Sequence, residues 1–560
     1  MNFYKTDNVL QSILKESMDE EMFRWAEEEL TEFGEMCGTT IDERAVHTDR
    51  EGQPKLIKYN RFGEDISYVW LNEGYKQTVQ ETYNRGIVGY LYKEIPGLNR
   101  KGNYLYSFAQ GYLLSQAEAG FYCPVTLTMS TAYLIDRYAE DDIKNKYLPH
   151  VTSTGDTELY EGATFLTERQ GGSDVGANET KAVVQEDGSY QLFGEKYFAS
   201  NAGACGVATV LARTEGSESG TKGLSLFLVP WKNDDGTLNG IQIRRLKDKL
   251  GVRAVPSGEV VFDGAKAYMI GDKAHGFYYM MEALNLSRIC NAVASAGIMR
   301  RAYTEATSYA NQRDAFGQSI VEYPMVQDTL VKMAVKLESV TTGVFELVKL
   351  YDDWGQGDEV SKKDKNAFLR LLIALLKAES ADQAIHFSHE AIEMHGGNGF
   401  IEDFVTPRLL RDAQVLTVWE GTANILGLEI LRLFNKHQMD DVFLMWMEKE
   451  IAGLSFYDKE IIECVDQAHV LLKNELSDFR SLPEVEKTRK IKQIQKKMTT
   501  LLEAVLLLKA AEKGDARKGL VASIYVKEFL LPHLGELGKT WSLEEGKVVL
   551  GLDKEMIKGN

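Results

Sequence analysis

The sequence predicts an α+β fold, mostly α, and three observations carry that expectation. Long tracts with 3.6-residue hydrophobic spacing occupy residues 1–158 and 274–436, and a further helical segment fills 437–560. Between the first two tracts, residues 159–273 break into short β-branched and aromatic runs (TKAVVQ, SYQLFG, TVLART, LSLFLV, EVVFD) separated by Gly, Asp and Asn turns. The expected order is therefore an N-terminal helical domain with an extension, a β-domain, a helical bundle and a C-terminal helical extension.

Each block has its own justification. In the first, MDEEMFRWAEEELTEFGEMCG reads as helix, and the polar stretch TDREGQPKLIKYNRFG reads as an interruption. In the second, the Asp187-Gly188 step is a hairpin signal. The third contains YMMEALNLSRICNAVASAGIMRRAYTEATSYANQR and DKNAFLRLLIALLKAESADQAIHFSHEAIEMH, both longer than an ordinary globular helix and suited to a bundle. Its YANQRDAFGQSIVEYP run is expected to end a helix at Gly317. The last block carries the basic stretch KTRKIKQIQKK, Lys487 to Lys497. No internal repeat stands out.

At 560 residues the chain has several domains' worth of length, at about 150 residues each, and enough apolar content for buried cores. Five cysteines, Cys37, Cys123, Cys205, Cys290 and Cys464, form no CxxC pair, which argues against a disulfide framework or zinc knuckle and for a reducing compartment. The N-terminal stretch has no apolar signal core, and LLEAVLLLKAA is too short to span a bilayer, so the expectation is a soluble, cytoplasmic protein. A net charge of −19 opposes general nucleic-acid affinity.

Glu420 is the leading candidate for chemistry. It lies in TVWEGTANI, between Trp419 and Gly421, at the start of an apolar helical tract. A bulky neighbour that strips water from a carboxylate raises its pKa and turns it into a usable base. Gly421 permits close approach of a substrate, while Thr422 and Asn424 offer side-chain donors or caps. The same segment also reads as an ordinary first helical turn, capped by Thr422, with Glu420 in solvent.

Other segments offer ligand-binding groups. In GATFLTERQGGSDVGANET, Gly171 and Gly172 precede Ser173 and Asp174 and present N–H groups and a hydroxyl to an anion or carbonyl; a polar hairpin connection fits equally. GEKYFASNA places Phe198 beside Ser200 at a strand end, either flanking a flat ring or filling a core. Arg313 and Phe316 in QRDAFGQ stand near a helix terminus, where a guanidinium can grip phosphate or simply form a surface salt bridge. In IEMHGGNGFIED a C-cap explains one glycine, not Gly396, Gly397 and Gly399 together. The run is not a dinucleotide fingerprint, because it follows a helix and lacks the final glycine, and no Walker A sequence occurs.

Taken in order, LTERQGGSDV, GEKYFASNA, QRDAFGQ, EMHGGNGF and VWEGTANI resemble the acyl-CoA dehydrogenase flavoprotein family over roughly residues 80 to 435. RLKDKLG, IMRRAY and the extension after LEILRLFNK are similar to its longer, AidB-like (alkylation-response) branch. The resemblance implies the acyl-CoA dehydrogenase-like fold: N-terminal helical domain, middle β-domain, C-terminal four-helix bundle and an extra C-terminal helical domain. It implies FAD between the β-domain and the bundle, with Thr167 at the isoalloxazine, Gly172 and Ser173 beside it and the acyl-CoA, and Phe198 and Ser200 flanking the flavin. Phe198 replaces the family's Trp and keeps the aromatic plane without the indole donor.

By the same resemblance Arg313, Phe316, Gly396 and Gly397 reach the FAD of a neighbouring subunit, implying a homotetramer or homodimer. Glu393 stands where a FAD-contacting Gln precedes the glycines, and Pro324 replaces a second such Gln. Thr422 and Asn424 are further cofactor contacts, and Gly421 a substrate contact. Arg288 matches an arginine near bound CoA, although Asn285 replaces the preceding Asp; pairing with a bundle carboxylate is the other reading. The implied reaction is α,β-dehydrogenation of an acyl-CoA to the trans-2-enoyl-CoA. Glu420 takes the α-proton, hydride passes to flavin N5, and an electron-transferring flavoprotein is the acceptor.

Two rival readings have residues in their favour. His386, His389, Glu390 and Glu393 share a helix face, but no second Glu-x-x-His helix accompanies them, so no metal is expected. A weak or vestigial dehydrogenase with a DNA-associated role, as in the AidB-like branch, would use the tail. After Asn435 that tail has 20 basic and 21 acidic residues, a poor clamp for a polyanion.

Overall fold

The computed structural model describes residues 1–354, 359–455, 458–513 and 516–533. Helices α1 (Asn8–Ser17), α2 (Glu20–Met36) and α3 (Asp42–Arg50) open the chain. Asp7 and Asp19 accept from the Leu10 and Met22 N–H groups and so satisfy the free donors at the first two starts. The stretch expected to be an irregular interruption is instead an antiparallel hairpin, β1 (Lys55–Tyr59) and β2 (Asp65–Trp70). Exposed apolar residues on its outer face, Ile57, Tyr59 and Tyr68, hide the alternation that leaves Leu56 and Val69 on the inner one, packed in the core of the β-domain.

Helix α4 (Glu73–Asn84) is capped by Asn72, and α5 (Tyr104–Tyr138) by Asn103. Almost every residue of α5 is buried, and Glu118 breaks it with non-helical angles (φ −145°, ψ 76°). There the Glu118 carboxylate accepts from the Gly120 N–H at 3.1 Å. Helix α6 (Asp141–Val151) completes the N-terminal domain.

The β-domain comprises β3 (Gly162–Phe165), β4 (Lys181–Val184), β5 (Tyr190–Ser200), β6 (Val207–Thr214), β7 (Leu224–Pro230), β8 (Ile241–Leu246) and β9 (Ser257–Ile270). The pairings β6-β4-β5-β9-β7 close back on β6, with β3 beside β6 and β8 beside β9. Ala208, Val210, Phe227, Val229 and Val260 fill the interior of this ring. The Asp187-Gly188 turn joins β4 to β5 antiparallel, with Asp187 accepting from the Ser189 N–H at 3.0 Å.

Helix α7 (Gly276–Gln312) follows, and its residues from Leu286 to Met299 are all buried. A two-residue hairpin, β10 (Asp314–Ala315) and β11 (Gln318–Ser319), then turns at Phe316 and Gly317. The helix thus ends at Gln312 rather than at Gly317, because the two left-handed residues at 316 and 317 are spent on the hairpin turn. Helices α8 (Pro324–Trp354) and α9 (Glu359–His395) complete the long members of the bundle, with α10 (Thr406–Leu416) and α11 (Ala423–His437) packed on α9. Helix α7 is covered by α5, α8 and α9 at once, which is why it carries no polar face over its central turns.

The chain divides into two compact units, residues 1–439 and 440–560. The second contains α12 (Met439–Ala452), α13 (Lys459–Ser481), α14 (Glu484–Glu512) and α15 (Ala516–Tyr525). On α14 the basic run is partly neutralised: Lys497 binds Glu475, and Arg489 pairs with Glu486 at 3.1 Å. Among the described residues, no helix is long and apolar enough to cross a membrane. All five cysteines are unpaired; Cys464 is half-buried and the other four are buried.

Candidate active site

Helix α10 ends one turn short of Glu420, and α11 begins just after it, so the base candidate sits on a tight connection. Its backbone is left-handed (φ 54°), followed by Gly421 at φ 105°. A non-glycine residue in that region is strained unless its surroundings hold it there. Two helices do so. From α7, Arg288 Nε donates to the Glu420 carbonyl at 2.9 Å. From α9, Lys377 Nζ donates to the carbonyls of Trp419 (2.7 Å) and Gly421 (2.9 Å). Both cations are buried.

The carboxyl group is held as firmly. Ser287 Oγ donates to Oε1 at 2.9 Å and Asn291 Nδ2 to Oε2 at 2.8 Å. These residues are four apart on α7 and share one face. Burial raises the Glu420 pKa above the ordinary carboxylate range; Lys377, the Asn291 and Ser287 hydrogen bonds and Arg288 pull the other way without cancelling it. Glu420 is therefore not a solvated residue of an ordinary helix start. Thr422 does occupy the N-cap of α11, yet its side chain makes no capping hydrogen bond. Thr422 and Asn424 are both exposed.

Trp419 is half-buried and packs on the cluster of Cys123, Leu127, Val252 and Val255. The Cys123 and Cys290 thiols, pushed up to about 12 by burial, both feel the Glu420 charge. The water-excluding wall thus includes α5 and α7 as well as the neighbouring tryptophan. Ser200, at the end of β5, is among the groups that act on the Cys123 thiol.

Thr167 lies at the same edge of the β-domain, its carbonyl accepting from the Tyr197 N–H at 2.9 Å. A Cβ on Gly172 would come within 2.6 Å of Thr167 Oγ1, so the absence of a side chain there is what lets the loop lie against that hydroxyl. Glu168 anchors the loop through the N–H groups of Glu179 (2.7 Å) and Thr180 (3.2 Å) and the buried Lys196 ammonium (2.8 Å). Ser173 is exposed, and the Phe198 ring is 58% exposed, which rules out a place in the β-domain core. Lys247 Nζ lies 4.9 Å from the Phe198 ring centre.

Arg313, Phe316, Glu393, Gly396 and Gly397 form a separate group. Asn398 Nδ2 donates to Tyr309 OH at 3.1 Å, so the glycine turn lies against the last part of α7. Arg313, Glu393 and both glycines are exposed, and Phe316 is 99% exposed. At 1.5 Å per residue, His395 is about 27 Å along α9 from Lys377. Within one chain these residues do not meet Glu420. Gly399 has a different reason to be glycine, since a Cβ there would lie 2.5 Å from the Ile392 carbonyl.

Arg288 binds the Glu420 carbonyl and, through Nη1, Asn285 Oδ1 at 3.1 Å, and among the described residues it makes no ion pair with a bundle carboxylate within 4 Å. His386 and His389 lie side by side on α9, with His386 Nε2 3.8 Å from Glu390 Oε1. Among the described residues no group of three potential ligands is gathered for a metal. Ser287, Asn291 and Lys377 were missed from sequence. The signals available were a polar triplet at 287, 288 and 291 in an apolar helix and a single lysine inside RLLIALLKAES.

Comparison with known proteins matches residues 1–156 to the Adaptive response protein AidB N-terminal domain. Residues 163–265 match the acyl-CoA dehydrogenase middle domain and 274–433 the acyl-CoA dehydrogenase C-terminal domain. The chain is 33% identical to acyl-CoA dehydrogenase family member 11 of Caenorhabditis elegans over 78% of this chain and 71% of that one. It is 31% identical to the putative acyl-CoA dehydrogenase AidB of Escherichia coli over 78% of each. The crystal structure of C. elegans ACDH-11 in complex with C11-CoA superposes with a TM-score of 0.88 at 28% identity, covering 100% of this chain and 95% of that one. The order of domains, the shared fold and this identity over most of the length together establish that the chain belongs to the acyl-CoA dehydrogenase family of FAD flavoproteins.

Proposed function

We propose that the protein is an active FAD-dependent acyl-CoA dehydrogenase that converts an acyl-CoA thioester to the trans-2-enoyl-CoA. One observation carries the reading: a carboxylate of raised pKa, fixed by Ser287 and Asn291, in a strained turn that two buried cations hold in place. The complex of the C. elegans relative with C11-CoA supports an acyl-CoA as substrate.

The residues at the rim of the β-domain fit the cofactor. A widely exposed Phe198 offers an aromatic plane with the Lys247 ammonium near it, and the Thr167 hydroxyl and the side-chain-free Gly172 adjoin it. In this reading Thr167, Gly172, Ser173, Phe198 and Ser200 hold the flavin, with Thr422 and Asn424 as further polar contacts. Bound there, FAD supplies the acceptor for the hydride that leaves the β-carbon.

The chain does the rest. Glu420 removes the α-proton, and its raised pKa makes that transfer favourable near neutral pH. Among the described residues the Glu420 N–H has no acceptor, so it is free to donate to the thioester carbonyl as enolate charge develops. Arg288, Gly421 and Ser173 line the approach of the CoA thioester. Arg313, Phe316, Glu393, Gly396 and Gly397, too distant to serve the same Glu420, bind the FAD of a second copy, which makes a homodimer or homotetramer the working unit. Electrons leave to an electron-transferring flavoprotein.

The test is an anaerobic flavin titration with a panel of acyl-CoAs. Wild type is expected to bleach with at least one of them, and Glu420→Gln to retain its yellow cofactor without bleaching. Equal reduction of that variant would remove Glu420 from the role of base. A yellow wild type that no acyl-CoA bleaches would favour the vestigial, AidB-like alternative.

A further inference from the structure

We propose that Lys377 is the positioning residue of the catalytic turn: its ammonium, inside α9, fastens the carbonyls on both sides of Glu420 and so aims the Glu420 N–H and carboxyl. The inference rests on reading Glu420 as the base. Lys377 is 1% exposed, and a buried cation is costly unless paired or fully hydrogen-bonded. Its hydrogen-bond partners are two neutral carbonyls, Trp419 O at 2.7 Å and Gly421 O at 2.9 Å.

Peptide geometry converts that grip into direction. Among the described residues every peptide bond is trans, so each C=O points opposite to the N–H of the same peptide unit. Lys377 holds the Trp419 carbonyl, and the Glu420 N–H therefore faces away from α9. The next carbonyl, that of Glu420, belongs to Arg288, and the one after returns to Lys377. Three consecutive carbonyls alternate between two cations on two helices, which accounts for the left-handed angles at 420 and 421.

The charge acts as well as the geometry. After burial, Lys377 is the largest influence on the Glu420 carboxyl, and it favours the ionised form. Burial pulls the Lys377 ammonium down to about 8, against the attraction of Glu420 and with the help of Arg288. The other groups facing this pair are the Cys123 thiol from α5, the Cys290 thiol from α7, and Glu429, Arg370 and Arg432, which act on Arg288.

Lys377→Met keeps a linear side chain and removes both the charge and the donors; Lys377→Arg keeps the charge and changes the fork. Three measurements decide. Flavin content and circular dichroism should match wild type for both. The rate of anaerobic bleaching should fall about 100-fold in Lys377→Met, its acid limb should move to higher pH, and Lys377→Arg should recover part of both. In the apoprotein, infrared titration of the Glu420 carboxyl, assigned by difference from Glu420→Gln, should show a higher midpoint in Lys377→Met and an intermediate one in Lys377→Arg. A Lys377→Met rate within threefold of wild type with an unmoved limb, or an unmoved infrared midpoint in either variant, overturns the proposal. If Lys377→Met does not fold, the Lys377→Arg midpoint decides alone. If Glu420→Gln bleaches like wild type, the base assignment fails, and the infrared midpoint still decides whether Lys377 governs that carboxyl.

Discussion

Replacing Asn291 with leucine removes its hydrogen bond to the base, together with a longer one, at 3.2 Å, to the Leu416 carbonyl. Asn291 Nδ2 lies 2.8 Å from Glu420 Oε2, while its own Oδ1 has no partner, so a similar-sized apolar side chain leaves no new orphan on residue 291. A hydrogen bond to a charged acceptor contributes about 1.5–3 kcal/mol. Because it favours the ionised carboxylate, its loss raises the Glu420 pKa, by about one to two pH units at about 1.4 kcal/mol each. In stopped-flow bleaching with saturating acyl-CoA, the acid limb of the rate profile should move up by that amount. Rates below the limb should fall about 10- to 100-fold and converge on wild type at high pH. Ser287 still holds the other oxygen, so orientation survives. A uniform loss of rate with an unmoved limb would refute the reasoning, because Asn291 would then serve geometry and not the ionisation of Glu420.

Three further outcomes are open to measurement. Burial raises Glu118 to about 8, so wild type should lose stability as pH rises from about 4.5 to about 8. Glu118→Gln should melt at a higher temperature than wild type, by a margin that grows across this window; a margin independent of pH would contradict it. Phe316→Ser removes a ring that is 99% exposed, so its effect on melting of the single chain should stay within about 0.5 kcal/mol. The same change should lower flavin retention and loosen assembly in light scattering, and unchanged assembly and flavin content would end the second-copy reading. Changing Lys490, Lys492, Lys496 and Lys497 together should leave duplex DNA binding as weak as in wild type; a steep salt-dependent affinity lost in that variant would restore the DNA-associated alternative.

The helical and β blocks were legible because their periodicities differ and the transitions coincide with changes in turn composition. The β1–β2 hairpin was not, since KLIKY and DISYVW are short and sit in a polar surrounding, TDREGQP before and NRFGE between, that mimics a loop. The stop of α7 was misplaced because Gly317 looks like a helix terminator, whereas it completes a hairpin with Phe316. Glu420 stood out through its neighbours in sequence. Ser287, Asn291 and Lys377 could not, because α7 and α9 are covered on several sides and residues distant in sequence decide which polar side chain meets the turn.

Four thiols, those of Cys37, Cys123, Cys205 and Cys290, are walled in and kept protonated by burial, while Cys464 on α13 is half-buried. A maleimide dye applied to the native protein should therefore attach at one place, well apart in sequence from every residue proposed to face the flavin. The C-terminal unit thus carries a ready anchorage for a fluorescent reporter, one that follows the extension during turnover while leaving the chemistry of Glu420 untouched.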